Sequence, residues 1–542
     1  MALSPSLQCI GGILAVLVIF TTICAFGWLW RKSGELNRDQ KTIVIAFLGV
    51  VLLVFGVRLY LADERVSWAP YLDQWYSEIG GIVAPLAHGT LSWRDLIAAN
   101  NEHRVVLTRA VSLAAMLLNG EWDNRVTITV TLLLQSVTAA WLCSLGWCFL
   151  GWRRGTWVAL ASLLPMVLVC DWENIVSGFQ VVFSFMILGT VVAFALFEIP
   201  VITAYAGWGA LTVCALLLGS MGSGFLTAFT IALLGLAHWQ LNGRKSGLYG
   251  GISLGALIIV SIGIITRAGD PAPGLAAVNL RVFWSAFLTY ASWPMPGQLL
   301  GFLFLWTPWL LLGWQTWRAR KCHSGSSFVL ALGLWVLLQS AALGWSRAGL
   351  SGLVSSRYTE VLSLGLVANT FAFLLLLDRC PQQSLLRTLR IVLPLWIACL
   401  GGMQLWRSQT IYRNFFVSFR QQTLEQEFRL RHFAKHGDER AITEVSFPHI
   451  PCEADVLLFL MRDQKVRPFL PSPLRREFAP DPQTGSGPSV EAGPLTRFAI
   501  WALGHGPWIS VSGAAILLCT VLGGGGWFSP KKLSIPVEFR NE

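Results

Sequence analysis

The chain has 542 residues, of which 54% are hydrophobic and only 13% are charged, whereas about 25% of the residues are charged in an average soluble domain. Its mean hydropathy is +0.59, and it contains 26 tryptophans. These values exclude a soluble enzyme and a disordered chain, and they are typical of a membrane protein. The net charge is +11, but the basic residues lie in short loops between apolar runs, so no nucleic-acid partner is expected.

Apolar runs of roughly 20 residues, the length that crosses a bilayer, predict an all-α polytopic membrane protein with about 13 transmembrane helices and a range of about 11 to 14. The runs cover residues 8–30, 43–62, 124–150, 156–170, 179–198, 206–222, 224–240, 248–266, 297–316, 327–345, 360–377, 391–406 and 497–524. The basic loops, among them Arg153-Arg154, Arg318 to Lys321 and Arg379 to Arg390, all fall on one side of this count. Because cytoplasmic loops are enriched in Lys and Arg, that side is predicted to be the cytoplasm.

Five parts make up the predicted domain organisation. They are two N-terminal transmembrane helices (1–62), a first outer loop (63–123), a transmembrane bundle (124–406), a small outer subdomain with a linker (407–496), and a final transmembrane helix with a basic tail (497–542). Short helices lying on the membrane surface are predicted within the first outer loop. Trp68, Trp75 and Trp93 are placed there at the level of the lipid headgroups.

The first outer loop is rich in ionisable side chains directly after a membrane span. It holds Asp63, Glu64, Asp73, Glu78, Glu102, His103 and Arg104. Ionisable groups between apolar helices are costly unless they line a wet cavity, so their density favours a functional site. The alternative is a loop that is simply solvated.

Two later outward-facing segments also carry polar groups. Asp171, Glu173 and Gln180 surround a helix start, where the two acids could instead be helix caps. Arg347 and Arg357 lie at the mouth of a span, on the side where the positive-inside rule disfavours them. The planar guanidinium suits phosphate, although each arginine could instead form a structural ion pair with an outer carboxylate. The sequence has no Cys/His cluster, so a divalent cation could be held through carboxylates only.

Several short motifs, in this layout, resemble the GT-C superfamily of membrane glycosyltransferases and, within it, a group of bacterial polytopic membrane proteins. The motifs are Asp73-Gln74-Trp75, Asn101-Glu102-His103-Arg104, Glu173-Asn174 with Gly178-Phe179-Gln180, Ser220 to Gly224, and Ser355-Ser356-Arg357-Tyr358. The resemblance implies transfer from a polyprenyl-phosphate sugar donor to a glycan, lipid or protein acceptor of the cell envelope. It also implies a site on the outer face of the bacterial inner membrane. An extra N-terminal span and the lack of a DxD motif depart from the superfamily pattern, and the second departure leaves metal dependence open.

The resemblance also implies roles for individual residues. An Asp in the first outer loop acts as the base on the acceptor hydroxyl, and by position this residue is Asp73. Glu102 or Glu78 would position the acceptor or share a metal. The predicted substrate-binding residues are His103, Arg104, Trp75, Arg347, Arg357, Tyr358, Asp171, Glu173 and Gln180. Among them, Arg347 and Arg357 would stabilise the leaving lipid phosphate.

No nucleotide cofactor is expected, because the sequence has neither a P-loop nor a Rossmann glycine fingerprint. Three alternatives to the glycosyltransferase remain open. One is an enzyme like an O-antigen ligase or polymerase, which uses the same lipid-linked donors. The others are a polytopic transporter or flippase and an envelope-assembly subunit that docks through residues 407–478.

Overall fold

The structure is a computed structural model, and it describes residues 38–198, 204–241, 247–267, 269, 274–297, 299–320, 325–350, 354–379, 382–478 and 490–525. The predicted span at 8–30, most of the predicted linker and the basic tail lie outside these residues.

All regular elements in these ranges are helices, and eight are long and apolar enough to cross a membrane. They are Lys41–Asp63, Asn124–Leu150, Gly178–Phe197, Gly247–Ile265, Leu299–Ala319, Ser326–Ser346, Ser356–Asp378 and Leu386–His436. A ninth candidate is a pair of helices, Pro494–Gly504 and Gly506–Thr520, that are bent by 65° relative to each other. The protein is therefore a helical polytopic membrane protein.

Three of the predicted spans form helices of fewer than 18 residues. The runs 206–222 and 224–240 form the helices Ala204–Leu217 and Phe225–Leu241, and 156–170 falls in the helix Trp152–Val167. A 14-residue helix is about 21 Å long, whereas the hydrocarbon core of a bilayer is about 30 Å thick. Glycines and serines at 219–224 interrupt the helical path between the first two of these helices.

Consecutive helices of the bundle run antiparallel. Gly146 packs against Gly155, and Arg379 donates to Ser326 Oγ across neighbouring helix ends. One end of the bundle therefore carries Asp63, Asn124 and Ser356, and we call it the site face. The other end, the opposite face, carries Arg154 and Arg379.

The first outer loop and residues 417–478 form one subdomain on the site face. Its helices are Gln74–Val83, a π-helix that continues into Ala84–His88, then Trp93–Ile97, Val106–Asn119, Val417–His436, Arg440–Thr443, Ala454–Arg462 and Ser472–Phe478. They share one hydrophobic core, which includes Ile79, Leu113, Trp122, Leu430, Leu457 and Met461. The two parts that the sequence separates are thus a single packed unit.

This packing corrects the predicted position of two tryptophans. Trp75 has no exposed surface and Trp68 is 5% exposed, both inside the subdomain core, so neither lies at the lipid headgroups or contacts a sugar. Trp93 is 60% exposed. The apolar faces of the short helices bury against a late segment of the chain rather than against lipid, and sequence periodicity cannot distinguish these two partners.

The predicted boundary at 406/407 falls inside a helix. The helix Gln383–Ile411 continues through a π-turn at Tyr412–Phe416 into Val417–His436. The helical segment Leu386–His436 has 51 residues and is about 75 Å long, more than twice the thickness of the bilayer core. It therefore connects the bundle to the subdomain as one continuous helical segment.

Candidate functional site

The candidate site lies where the subdomain meets the site face. Asn100, His103 and Arg357 all influence the carboxyl group of Asp73, which places the first outer loop beside the start of the helix Ser356–Asp378. Arg357 in turn pairs with Glu173 at 3.0 Å. The structure therefore brings together six of the predicted residues: Asp73, Glu102, His103, Glu173, Arg347 and Arg357.

Two strained backbone positions hold the acidic residues of the site. Leu72 precedes Asp73 with a φ of 47°, and Asn101 precedes Glu102 with a φ of 51°. The Leu72 N–H donates to Pro451 O at 2.9 Å, which ties this strained residue to the late part of the subdomain. Non-glycine residues with left-handed φ cost about 1–3 kcal/mol and cluster at functional sites.

A tight turn presents Glu102 and His103. The backbone N–H of Asn100 donates to His103 O at 2.8 Å, and the N–H of His103 donates to Asn100 O at 3.0 Å. The Asn100 side chain also lies within hydrogen-bonding reach of the Asp73 carboxyl. Asn100 was not among the predicted site residues, although it directly precedes the Asn101-Glu102-His103-Arg104 motif.

Asp73 is partly exposed and begins the π-helix Gln74–Val83, a rare element that is frequent at functional sites. Burial raises the pKa of the Asp73 carboxyl, while Arg357, His103 and Asn100 lower it. The net pKa lies above the ordinary value, so the ionised group is a stronger base than a solvated aspartate.

His103 is neutral at physiological pH. Burial is the main reason that its pKa falls to about 4, and the neighbouring Arg267 and Arg357 add to that effect. Its Nδ1 accepts a hydrogen bond from the Gly222 N–H at 3.0 Å, so Nε2 carries the proton. Nε2 lies 3.6 Å from Glu102 Oε1, and because the imidazole is uncharged this contact is not an ion pair. His103 can therefore offer one neutral donor to a ligand.

Arg347 is bound to Glu102 in an ion pair in which the arginine is 13% and the acid 8% exposed. Arg347 O accepts a hydrogen bond from the Tyr290 hydroxyl at 2.9 Å. Arg347 therefore forms the structural ion pair with an outer carboxylate that was the alternative to phosphate binding. It connects the first outer loop to the end of the helix Ser326–Ser346.

Arg357 is paired but more open. Its Nη2 contacts Glu173 at 3.0 Å and its Nε donates to Ser355 Oγ at 3.2 Å, while a third of the side chain is exposed. Glu173 also accepts hydrogen bonds from the Ser355 and Ser356 hydroxyls at 3.1 and 2.6 Å. Because these contacts use Nε and Nη2, Nη1 of Arg357 is the donor best placed to meet a ligand.

Glu78 is not part of this site. It lies in the subdomain core with no exposed surface and accepts a hydrogen bond from Trp122 Nε1 at 2.9 Å. Burial raises the pKa of Glu78 to about 7, although hydrogen bonds from Ser112, Trp122 and Gln74 oppose the shift. The helical turn from Asp73 to Glu78 directs the two carboxyls to different environments, so the predicted catalytic role of Glu78 is wrong.

We expect Glu78 to make the stability of the protein pH-dependent. Below pH 4.5 the carboxyl is protonated in the folded and unfolded states alike; as the pH rises towards 7, only the unfolded state loses the proton readily. Stability therefore falls across this window by about 3 kcal/mol. Glu78→Gln should unfold at a higher temperature than wild type at pH 8 and at a similar temperature at pH 4.5. Thermal unfolding in detergent, followed by tryptophan fluorescence, measures both.

The exposed Glu444 of the same subdomain provides the control. Glu444→Gln should unfold like wild type at both pH values. A Glu78→Gln protein with an unchanged pH profile would contradict the assignment.

Asp171 is also displaced from its predicted role. Both of its oxygens accept hydrogen bonds from Arg58 Nη1, at 3.0 and 2.9 Å, and the two side chains are 3% and 0% exposed. Asp171 precedes the helix Trp172–Val176 without capping it through its side chain. Asp171 is neither a ligand-binding group nor a side-chain cap, because its carboxylate forms a buried ion pair with Arg58 of the first described span.

Gln180 and Tyr358 are buried next to the site rather than open to it. Gln180 is 7% exposed in the short 3-10 helix Gly178–Gln180, and Tyr358 is 6% exposed and packs edge-on against Phe183 with ring centroids 5.8 Å apart. Tyr358 therefore supports the helix start that carries Arg357.

Arg104 and Arg267 border a small pocket beside the Asn100–His103 turn. The pocket encloses about 280 Å³, including its mouth, and is lined by Glu102, Arg104, Leu218, Met221, Gly222, Phe225, Gly263, Thr266 and Arg267. Arg104 Nε donates to Thr266 O and Arg104 Nη1 to Ile97 O, each at 2.8 Å. Arg267 was missed in the sequence, although it follows a predicted span on the side where positive charge is disfavoured, as Arg347 and Arg357 do.

The pocket borders the membrane. Leu218, Met221 and Phe225 form its apolar lining. Ile264 and Ile265, next to its lining residues, are 58% and 82% exposed. Exposed isoleucines on a spanning helix face lipid. The site thus combines basic groups at one end of the pocket with apolar walls at the other.

Within the described ranges, no three His, Cys, Asp or Glu side chains gather into a group able to hold a metal ion. Of the site carboxylates, Glu102 and Glu173 are each paired with an arginine. These two carboxylates are therefore each neutralised by a protein cation.

The sequence was also compared with known proteins. No protein-family model matches it, and no curated protein shows significant similarity to it.

Proposed function

We propose that the protein is a membrane glycosyltransferase with a GT-C-like fold, which transfers a sugar from a polyprenyl-phosphate donor to an envelope acceptor. The acceptor is a glycan, a lipid or a protein. The site face is proposed to be the outer face of a bacterial inner membrane, because Arg154, Arg318 and Arg379 all lie at the opposite face.

One observation carries the proposal. A partly exposed Asp73 with a raised pKa lies in the same electrostatic cluster as Arg357 and Arg267, since Asp73, Arg267 and Arg357 all act on the imidazole of His103. Of these two basic groups, Arg267 borders the membrane-facing pocket, and Arg104 borders it as well. A base beside such groups suits a reaction in which a lipid phosphate departs. The apolar pocket walls would accept the first units of the lipid chain, and Arg104, Arg267 and Arg357 its phosphate.

The proposed reaction is a transfer at the anomeric carbon of the sugar. The acceptor oxygen forms a bond to this carbon while its proton passes to the Asp73 carboxylate. The bond from the carbon to the phosphate oxygen breaks, and its electron pair leaves with the lipid phosphate. Basic side chains stabilise that negative charge, so they lower the barrier to bond breaking. The pairs Glu102–Arg347 and Glu173–Arg357 hold the loop and the helix start in position.

Reconstitution tests this proposal. The purified full chain in nanodiscs is incubated with radiolabelled polyprenyl-phosphate sugars and with envelope glycan and lipid acceptors. We expect labelled acceptor and an equal amount of released polyprenyl phosphate. If the protein neither binds nor consumes any of these donors, the proposal fails, and a transport or assembly role becomes the better hypothesis.

A further inference from the structure

A second groove lies at the opposite face, far from the candidate site. It is formed by the helices Trp152–Val167, Ser356–Asp378 and Gln383–Ile411, and is lined by Arg154, Trp157, Leu374, Leu377, Leu386, Arg390, Leu393 and Pro394. It encloses about 540 Å³, including its open mouth.

Both charged residues of the lining are basic. Arg390 is exposed, whereas Arg154 is 46% exposed and forms an ion pair with Asp378, which is not part of the lining. The Asp378 carboxylate offsets one of the two charges, so the groove keeps a net positive charge through Arg390. An anion is therefore the complementary ligand.

Pro394 adds a polar group to the same place. Proline has no backbone N–H, so in the middle of the helix Gln383–Ile411 it removes the hydrogen bond to the carbonyl four residues earlier, that of Arg390. This carbonyl therefore loses its helical donor, and it belongs to a residue that lines the groove. A ligand with an anionic group for the Arg390 guanidinium and a hydroxyl for the Arg390 carbonyl oxygen would match both groups.

The rest of the groove is apolar and borders lipid. Trp157 and four leucines line it, and Leu160, Ile391 and Leu395 on the same helices are 50%, 64% and 66% exposed. Apolar side chains exposed on spanning helices contact acyl chains. The ligand therefore combines an anionic headgroup with hydrocarbon chains.

We propose that this groove binds an anionic phospholipid from the membrane leaflet at the opposite face, with its phosphate on Arg390 and Arg154 and its chains along Leu374, Leu377 and Leu393. Basic pockets between membrane helices recognise anionic headgroups in this way. The inference does not depend on the proposed glycosyltransferase activity.

The test uses the full chain in neutral detergent and counts bound lipid by native mass spectrometry. Phosphatidylglycerol and phosphatidylcholine with the same acyl chains are titrated separately. We expect tighter binding of phosphatidylglycerol, and Arg390→Gln should weaken it about fivefold, the contribution of one arginine near a charged lipid. Arg387→Gln is the matched control, since Arg387 is exposed one helical turn earlier and does not line the groove.

Three results would overturn the inference. They are equal affinity for the two lipids, equal weakening in the Arg390 and Arg387 variants, and displacement of phosphatidylglycerol by inorganic phosphate at the same concentration. Unfolding temperatures in lipid-free detergent, expected to be equal for both variants and wild type, separate lost binding from lost folding. Arg390→Lys, which keeps the charge, should retain most of the preference for phosphatidylglycerol.

Discussion

Asp73→Asn should reduce sugar transfer by about 10²–10⁴-fold while leaving the protein folded, because an amide cannot accept the proton of the acceptor hydroxyl. Asn has nearly the same shape as Asp, so the turn at Leu72 and the π-helix after it are retained. The measurement is the initial rate of label transfer in nanodiscs at saturating donor, with donor binding measured separately. Binding should change far less than the rate.

The pH profile of wild type supplies an independent check on Asp73. Because burial raises the pKa of its carboxyl, transfer should fall as the pH drops through that raised pKa and should level off above it. Asp63→Asn is the control, since Asp63 is an exposed acid of the same outer loop that lies beside Glu64 and Arg420 instead. It should transfer at the wild-type rate.

A different pattern would point to a different enzyme. If Asp73→Asn transfers like wild type while Arg357→Ala is inactive, the reaction does not use this base. An enzyme like an O-antigen ligase or polymerase, which relies on arginine, would then be the better hypothesis. If both variants are fully active, the candidate site itself is misplaced.

Arg58→Met should strongly destabilise the protein. It leaves the Asp171 carboxylate buried without its cation, and removal of one partner from a buried ion pair costs about 3–5 kcal/mol. Glu360, a second buried acid, also interacts with both Arg58 and Asp171, so the change removes the cation that faces two carboxyl groups. Thermal unfolding in detergent should show a fall of several degrees in the transition temperature.

The double variant Arg58→Met/Asp171→Asn is the control for this prediction. It removes both charges at similar side-chain volume, so it should recover much of the lost stability. If the double variant is no more stable than Arg58→Met, the two residues do not act as a pair. The loss then comes from the hydrogen bonds that Arg58 Nη2 donates to Pro165 O and Met166 Sδ.

The Asp171 pair shows a limit of reading charges one segment at a time. Asp171 and Glu173 are two residues apart and look equivalent in sequence, yet one meets Arg58 in the core and the other meets Arg357 at the site. Arg58 lies inside an apolar span, and its neighbours in the sequence give no sign that it pairs with Asp171. Which of the two acids can meet a ligand depends on helices that are remote in sequence.

Asp73, Glu102, His103 and Arg357 came from local signals and do lie together. Their density beside a span, or their position against the positive-inside rule, is a property of the sequence alone. Glu78 and Trp75 share the same segment and were included for the same reason. They lie in the core because the π-helix turns them away from Asp73 and towards Leu460 and neighbouring core residues.

The sequence by itself determined the membrane environment, the helical class and the segments that hold the polar groups, because hydrophobicity over about 20 residues decides whether a segment can enter lipid. Tertiary structure alone decided which apolar runs reach full span length, and that the first outer loop shares its core with residues 417–478. It also decided which acids are neutralised by Arg58, Arg347 and Arg357. The physical reason is that burial and ion pairing depend on contacts between distant segments. Hydrophobic periodicity indicates that one face of a helix is buried, but it does not indicate which segment buries it.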